Sequence, residues 1–318
     1  MMTILIQLTL RKQNNMYVFI VNPVAGNGRA KKIHSKLTEL ADYKKMSPVC
    51  FYTKYKGHAE KIALQISSDT SIKTIVVIGG DGTMHEVVNG LENRDISISF
   101  IPGGSGNDFA RGASSPLNPN EVFKNIQENK GNVDYWLGVY NMKDKDNRKF
   151  INCIGFGFDA VVTKSANQSH YKRLFNTVRL GKLGYTIAII RELLFYRPIS
   201  IIVETDNLTK KYSNCFLITI NNHAYFGGGM KINPLAQNNR DDFSVLIIDS
   251  ISKWKVLALF LTVFTGKHIH FKEVKIISTK QIKISAEKPI PFQADGETGK
   301  TVSCFIKKAP LPIKIKGT

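Results

Sequence analysis

The chain has 318 residues, 43% hydrophobic and 22% charged, an ordinary globular composition with enough length for two domains. Its 44 Lys and Arg against 25 Asp and Glu leave a formal charge of +19, which favours anionic partners: nucleic acid, nucleotide phosphates or an acidic membrane surface. No helix-turn-helix, RNA-recognition or zinc-finger pattern occurs, which argues against nucleic acid. Four scattered cysteines (Cys50, Cys153, Cys215, Cys304) form no C-x-x-C pair and read as small buried hydrophobes rather than a disulfide framework or a zinc site. The longest apolar runs, 256–264 and 186–190, are too short to span a bilayer.

In residues 1–15 (MMTILIQLTLRKQNN) a short apolar run precedes the positive charges, the reverse of an export signal. The segment reads as a disordered leader, or as untranslated if synthesis starts at Met16. A strand follows at 16–21 (MYVFIV), then a Gly/Asn-rich loop at 22–28 and helical spacing through Ile33, Leu37 and Leu40. Residues 49–53 read as a second strand and 59–67 as a second helix. The run 75–78 (IVVI) is a third strand and stops at GGDGT, residues 79–83. Met84, Val87, Val88 and Leu91 then recur at helical spacing. A strand at 96–101 ends in PGGSGND, with a short helical segment at 109–112.

Strand, Gly-rich loop and helix thus repeat, which predicts a doubly wound, mostly parallel α/β sheet with its strand-to-helix loops on one edge. Glycines let backbone N–H groups approach a phosphate, and helix N-termini offer free donors. Asp81 would repel a bare phosphate, so it makes sense with Mg²⁺ between them. A tight structural turn is the simpler alternative for any one loop; three loops on one edge favour a nucleotide phosphate site. The Walker and dinucleotide patterns are both absent.

Near 133–140 the texture changes to short alternating strands: 133–140, 149–154, 199–204, 215–221, 243–249, 274–278, 281–285, 290–294, 301–307 and 312–316. They predict an antiparallel β-sandwich. Two helical insertions, 171–196 and 253–266, interrupt it. The expected division is a leader at 1–15, a nucleotide-binding α/β domain at 16–133 and a β-sandwich domain at 134–318.

The motifs NP-x-AG (22–26), GGDGT (79–83), PGGSGNDFAR (102–111), FINCIGFGFDA (150–160) and Q-x-DGE (293–297) together resemble the diacylglycerol kinase catalytic family, most of all its bacterial soluble lipid kinases. The resemblance runs from about Met16 to the C-terminus. GGDGT alone is shared with NAD kinases and phosphofructokinases; PGGSGNDFAR beside it is far more specific. The resemblance implies an ATP- and Mg²⁺-dependent kinase acting on diacylglycerol or a related lipid alcohol, with ATP in the cleft between domains. Asn22, Gly26, Thr53, Gly79, Gly80, Asp81, Gly82, Thr83, Gly104, Ser105 and Asn107 match ATP-site positions. Asp81, Asp108 and Asp134 match the acids that hold Mg²⁺, partly through water. Asp295 matches the general base and Glu297 a supporting acid. From pattern alone, Asp-Gly between two apolar runs is a hairpin turn; only the resemblance makes Asp295 a base.

Three departures stand out. His85 replaces the usual Asn and reads as a surface residue. Arg240 falls where some members have an Asp that binds a structural Mg²⁺; Asp241 would substitute only after a one-residue shift. Ser105 replaces Thr and keeps the hydroxyl. A lipid substrate also implies peripheral binding to the inner face of an anionic membrane by a cytoplasmic enzyme, with 253–267 and the region of Lys172, Arg173, Arg179 and Lys182 as candidates. Packing on the sandwich is the simpler reading of both apolar stripes. Family likeness also implies a homodimer. The alternatives are an NAD kinase-like phosphotransferase and a non-catalytic nucleotide- or membrane-binding relative.

Overall fold

A computed structural model describes residues 16–93, 95–142, 147–167 and 191–318. The leader and most of the insertion at 171–196 lie outside the described residues. The chain divides into two compact units: one runs to Leu137 and adds Gly227–Gly229 and Pro310–Thr318, the other comprises Gly138–Phe226 and Met230–Ala309.

The first unit alternates strand and helix: β1 (Met16–Val21), α1 (Ala25–Glu39), α2 (Ala41–Met46), β2 (Val49–Tyr52), α3 (His58–Ile66), β3 (Ile72–Gly79), α4 (Asp81–Gly90), β4 (Ser97–Pro102), α5 (Asp108–Gly112), α6 (Pro119–Gln127) and β5 (Val133–Tyr135). The chain's last strand, β15 (Ile313–Lys316), completes a six-stranded sheet in the order β2-β1-β3-β4-β15-β5. All pairings are parallel except β15 with β5. Ile75, Val76, Val77 and Ile78 are each 0% exposed, as a central strand covered on both faces requires. The helices cover it with apolar stripes; α3 buries Ala59, Ile62, Ala63 and Ile66 at helical spacing.

The second unit holds β6 (Gly138–Met142), β7 (Arg148–Phe150), β8 (Cys153–Gly157), α7 (Phe158–Asn167), β9 (Ile199–Thr205), β10 (Thr209–Asn221), β11 (Phe243–Asp249), α8 (Lys253–Thr262), β12 (Val274–Thr279), β13 (Gln281–Ala294) and β14 (Glu297–Lys308). Its strands form one antiparallel nine-stranded sheet, β12-β11-β10-β8-β13-β14-β6-β7, with β9 pairing both β10 and β13. The sheet folds onto itself: Phe150 at the end of β7 stacks on Phe243 at the start of β11, ring centroids 5.8 Å apart. The dry interior so formed holds Phe156, Ile218, Val245, Ile282, Ile284 and Ile306. Phe158, Val162, Val256 and Leu259 of α7 and α8 make a second core against Phe216, Leu246 and Ile248.

The expected boundary at 133/134 therefore needs correction. Asp134 sits on β5 within the first sheet, and β15 belongs there too, because Ile315 pairs with Ile98 and Val133. The stretch 133–140 is two strands with different partners, β15 for one and β14 for the other. The stretch 281–294 is one strand with an irregularity between Ser285 and Ile290. Helix α7 was not foreseen.

Candidate active site

In the first unit the three Gly-rich loops meet. Asn22 follows β1 and donates from Nδ2 to Thr83 Oγ1 at 3.0 Å, while its Oδ1 accepts from Val24 N–H. Gly26, Asn27 and Gly28 have φ of 58°, 57° and 85°, a left-handed run that turns the backbone before α1 becomes regular. A Cβ on Gly26 would lie 2.1 Å from the Gly103 carbonyl oxygen, and one on Gly104 would lie 2.5 Å from Gly80 Cα. No larger residue fits either place. Gly103 N–H donates to Gly79 O at 2.7 Å, and the Asn107 amide exchanges two 3.1 Å hydrogen bonds with the Gly104 backbone. Thr53 extends the edge through its N–H to Val21 O at 2.9 Å. Ser105 is exposed, and no side chain or backbone of another residue would meet a Cβ on Gly82.

Asp81 opens α4. Its Oδ1 accepts from Phe109 N–H at 2.9 Å and its Oδ2 from Asp108 N–H at 3.2 Å. Asp108 is 4% exposed, and its carboxylate takes Gly228 and Gly229 N–H at 2.7 Å each plus Arg111 Nη1 at 3.1 Å. Asp108 thus fastens the triple-glycine turn, a task its sequence position did not suggest. Asp134 is exposed on β5, opposite Lys314 in the ladder. Among the described residues no group of three or more His, Cys, Asp or Glu stands ready for a metal. The three-acid Mg²⁺ set is therefore not assembled from protein side chains alone. Mg²⁺ characteristically binds through one or two carboxylates, substrate phosphates and water, and Asp81 fits that donor pattern.

His85 corrects another expectation: it is 1% exposed and receives the Asn89 amide, which also donates to the His85 carbonyl at 2.9 Å. At the suspected structural metal segment, Asp241 pairs with Lys280, and Arg240 grips both oxygens of Asp242 at 2.9 and 2.8 Å. In this structure the carboxylates of that segment are paired with protein cations.

In the second unit Asp295 and Gly296, with φ of 48° and 94°, form the two-residue turn joining β13 to β14, where Ala294 pairs with Glu297. The turn presents the Asp295 carboxylate to three backbone donors: Ile151 N–H at 2.6 Å, Asn152 at 2.8 Å and Cys153 at 3.2 Å. That segment is held in turn. Asn222 Nδ2 donates to Phe150 O and Ile151 O at 3.0 Å each, and His223 Nε2 bonds Asn152 Oδ1 at 2.8 Å. His223 Nδ1 accepts from Tyr225 N–H, so Nε2 carries the proton. Glu297 is half-buried at the start of β14.

The same unit contains an apolar pocket of about 730 Å³ counting its open mouth, walled by α7, α8, β10 and residues such as Phe226, Met230 and Phe260. Asp159, Thr163 and Thr219 are its polar side chains, and among the described residues Asp159 Oδ1 and Thr219 Oγ1 are buried without a hydrogen-bond partner. Burial pushes the Asp159 carboxyl up to about 7, against a hydrogen bond from Gln293. Sequence reasoning missed both residues. A lone acid in the otherwise apolar run CIGFGFDA was the available signal for Asp159; Thr219 gave none.

Comparison with known proteins agrees with this architecture. Residues 16–136 match the diacylglycerol kinase catalytic domain, and residues 152–316 match the YegS C-terminal NAD kinase beta sandwich-like domain. The chain is 34% identical over 307 residues to "Putative lipid kinase YtlR" of Bacillus subtilis, covering 94% of this chain and 99% of that one. It is 25% identical to the diacylglycerol kinase of Mycobacterium tuberculosis, covering 93% of each. A Bacillus anthracis structure described as a putative diacylglycerol kinase has the same fold, with a TM-score of 0.72 at 23% identity over 96% of this chain and 98% of that one. Among the described residues no helix is long and apolar enough to cross a membrane. With both domain types matched in order and a relative of this similarity along nearly the whole length, the chain belongs to the lipid kinases of the diacylglycerol kinase family.

Proposed function

We propose that this protein transfers the γ-phosphoryl group of ATP to the hydroxyl of diacylglycerol or a related lipid alcohol, giving phosphatidic acid when the acceptor is diacylglycerol. The observation that carries the acceptor class is the second unit's pocket: apolar walls suit acyl chains, and two unpartnered oxygens suit a hydroxyl-bearing head. The donor reading rests on the converging loops at Asn22, Gly26, Gly80 and Gly104, whose backbone can lie against a triphosphate. Mg²⁺, when bound, neutralises phosphate charge, and Asp81 is the residue that would hold it.

Phosphoryl transfer asks little of the protein beyond positioning and removal of one proton. Asp295 takes the acceptor hydroxyl's proton as the new O–P bond forms, its carboxylate held in place by the three N–H groups of residues 151–153. Glu297, two residues on at the start of β14, supports it. The enzyme meets its lipid at the inner face of an anionic membrane.

A radiolabel transfer assay from γ-labelled ATP over a panel of lipid alcohols, with NAD as a counter-substrate, tests this. Label is expected in the organic phase with diacylglycerol or a close analogue; label on NAD alone would overturn the reading. Asp295→Ala should cost roughly 10²–10⁴-fold in turnover while leaving ATP affinity near wild type.

A further inference from the structure

Gln293 lies two residues before the proposed base and is 0% exposed. Its amide spans two features of the second unit. Oε1 accepts the Gly296 N–H of the β13–β14 turn at 3.1 Å, and Nε2 donates to Asp159 Oδ2 at 3.2 Å and lies 3.4 Å from Cys153 Sγ. Only one orientation of the amide serves both ends, since the turn offers a donor and Asp159 an acceptor. The ladder makes room for this: Gln293 pairs with Gly155 on β8, and a Cβ on Gly155 would lie 1.9 Å from Asp159 Oδ2. The glycine leaves the space in which carboxylate and amide meet.

We propose that Gln293 is a positioning residue that fixes the pocket acid Asp159 in register with the turn bearing Asp295. It thereby sets where a lipid head held by Asp159 presents its hydroxyl. The inference rests on the pocket being the acceptor site. One side chain ties recognition to proton removal, so its loss should lower kcat at saturating lipid as well as weaken the lipid. A residue that only filled space would change stability and leave that coupling alone.

The test uses Gln293→Met, Asp159→Asn and the double variant, with 1,2-dioctanoylglycerol in detergent micelles as acceptor. Gln293→Met keeps the volume and removes both polar ends. We expect a loss of about tenfold in kcat/KM for the lipid, partly in kcat, with KM for ATP unchanged. The double variant should lose no more than the worse single one. Losses that multiply would overturn the link, as would wild-type kinetics in Gln293→Met.

A second arm needs no turnover and no particular acceptor. Carboxyl ¹³C resonances follow Asp159 through its titration in the wild type and in Gln293→Met. Among the described residues, Tyr196 and Cys215 interact with Asp159 electrostatically, and burial pushes both up, so they stay neutral through the acid range. Removing the Gln293 donor should move the Asp159 midpoint upward; an unmoved midpoint refutes the contact. If Asp159→Asn leaves the lipid KM untouched while that midpoint does shift, the acceptor-pocket reading fails and the contact stands without its catalytic meaning.

Discussion

At Asp295 a backbone requirement and the proposed chemical one fall on the same residue. The two-residue turn needs positive φ, which Asp tolerates better than most side chains, and the same geometry aims the carboxylate at the N–H groups of residues 151–153. The turn reading and the base reading of Asp-Gly are therefore compatible. Behind that segment, His223 is 2% exposed, and burial pushes its imidazole down to about 4. Above pH 6.5 it is neutral whether the chain is folded or unfolded. Below that, the unfolded chain binds a proton that the folded one refuses until about pH 4, so stability falls, by roughly 2 kcal/mol at pH 5. Asp159, raised to about 7, works in the opposite direction: the fold takes up its proton early and gains stability as pH drops below 7. Urea titrations of wild type and His223→Gln at pH 7 and pH 5 isolate the first effect, because Asp159 contributes equally to both. The wild type should lose about 2 kcal/mol more than the variant over that interval. The Gly-rich loop residues were legible because close backbone approach demands glycine. Asp159, Thr219 and the buried His85 were not, since one polar letter in an apolar run does not say whether it faces a pocket, a core or water.

Helix α8 packs one apolar face on the second unit and leaves other apolar side chains exposed. Val256 and Leu259, with Val263 just beyond, are buried and line the pocket, while Trp254, Leu261 and Phe264 are 82%, 78% and 53% exposed. Leu194 and Phe195 add to the exposed apolar surface, and Lys253 donates to the Leu194 carbonyl, which places the two stretches side by side. Burying such side chains in lipid stabilises by about 1.5–3 kcal/mol each, and the surrounding lysines favour anionic headgroups. Trp254→Ala with Leu261→Ala should therefore weaken flotation with phosphatidylglycerol vesicles by tenfold or more, with a small effect on melting temperature. Equal flotation of variant and wild type would leave these side chains without a membrane role. The period of 253–266 was plain in the sequence; which face would be covered was not, because the residues that decide it lie on α7, β10 and β11.

At the scale of the whole chain, the two architectures were readable from the switch in periodicity near residue 133, and the discontinuity of the first unit was not. IKIK at the C-terminus alternates like any sandwich strand, yet Ile315 is 0% exposed within the first sheet and Ser99 Oγ bonds the Lys316 carbonyl at 2.8 Å. Without β15, β4 has an open edge and β5 has no partner in the sheet. A chain cut after Leu137 should consequently aggregate or lack a cooperative melt by circular dichroism, and a peptide of residues 310–318 should restore part of the transition. A monomeric, cooperatively folding fragment would contradict the topology. The same placement dictates an order of synthesis. The ribosome delivers every residue of the sandwich before the nine that close the first sheet, so the nascent Gly-rich loops wait on an incomplete floor until residues 310–318 have emerged.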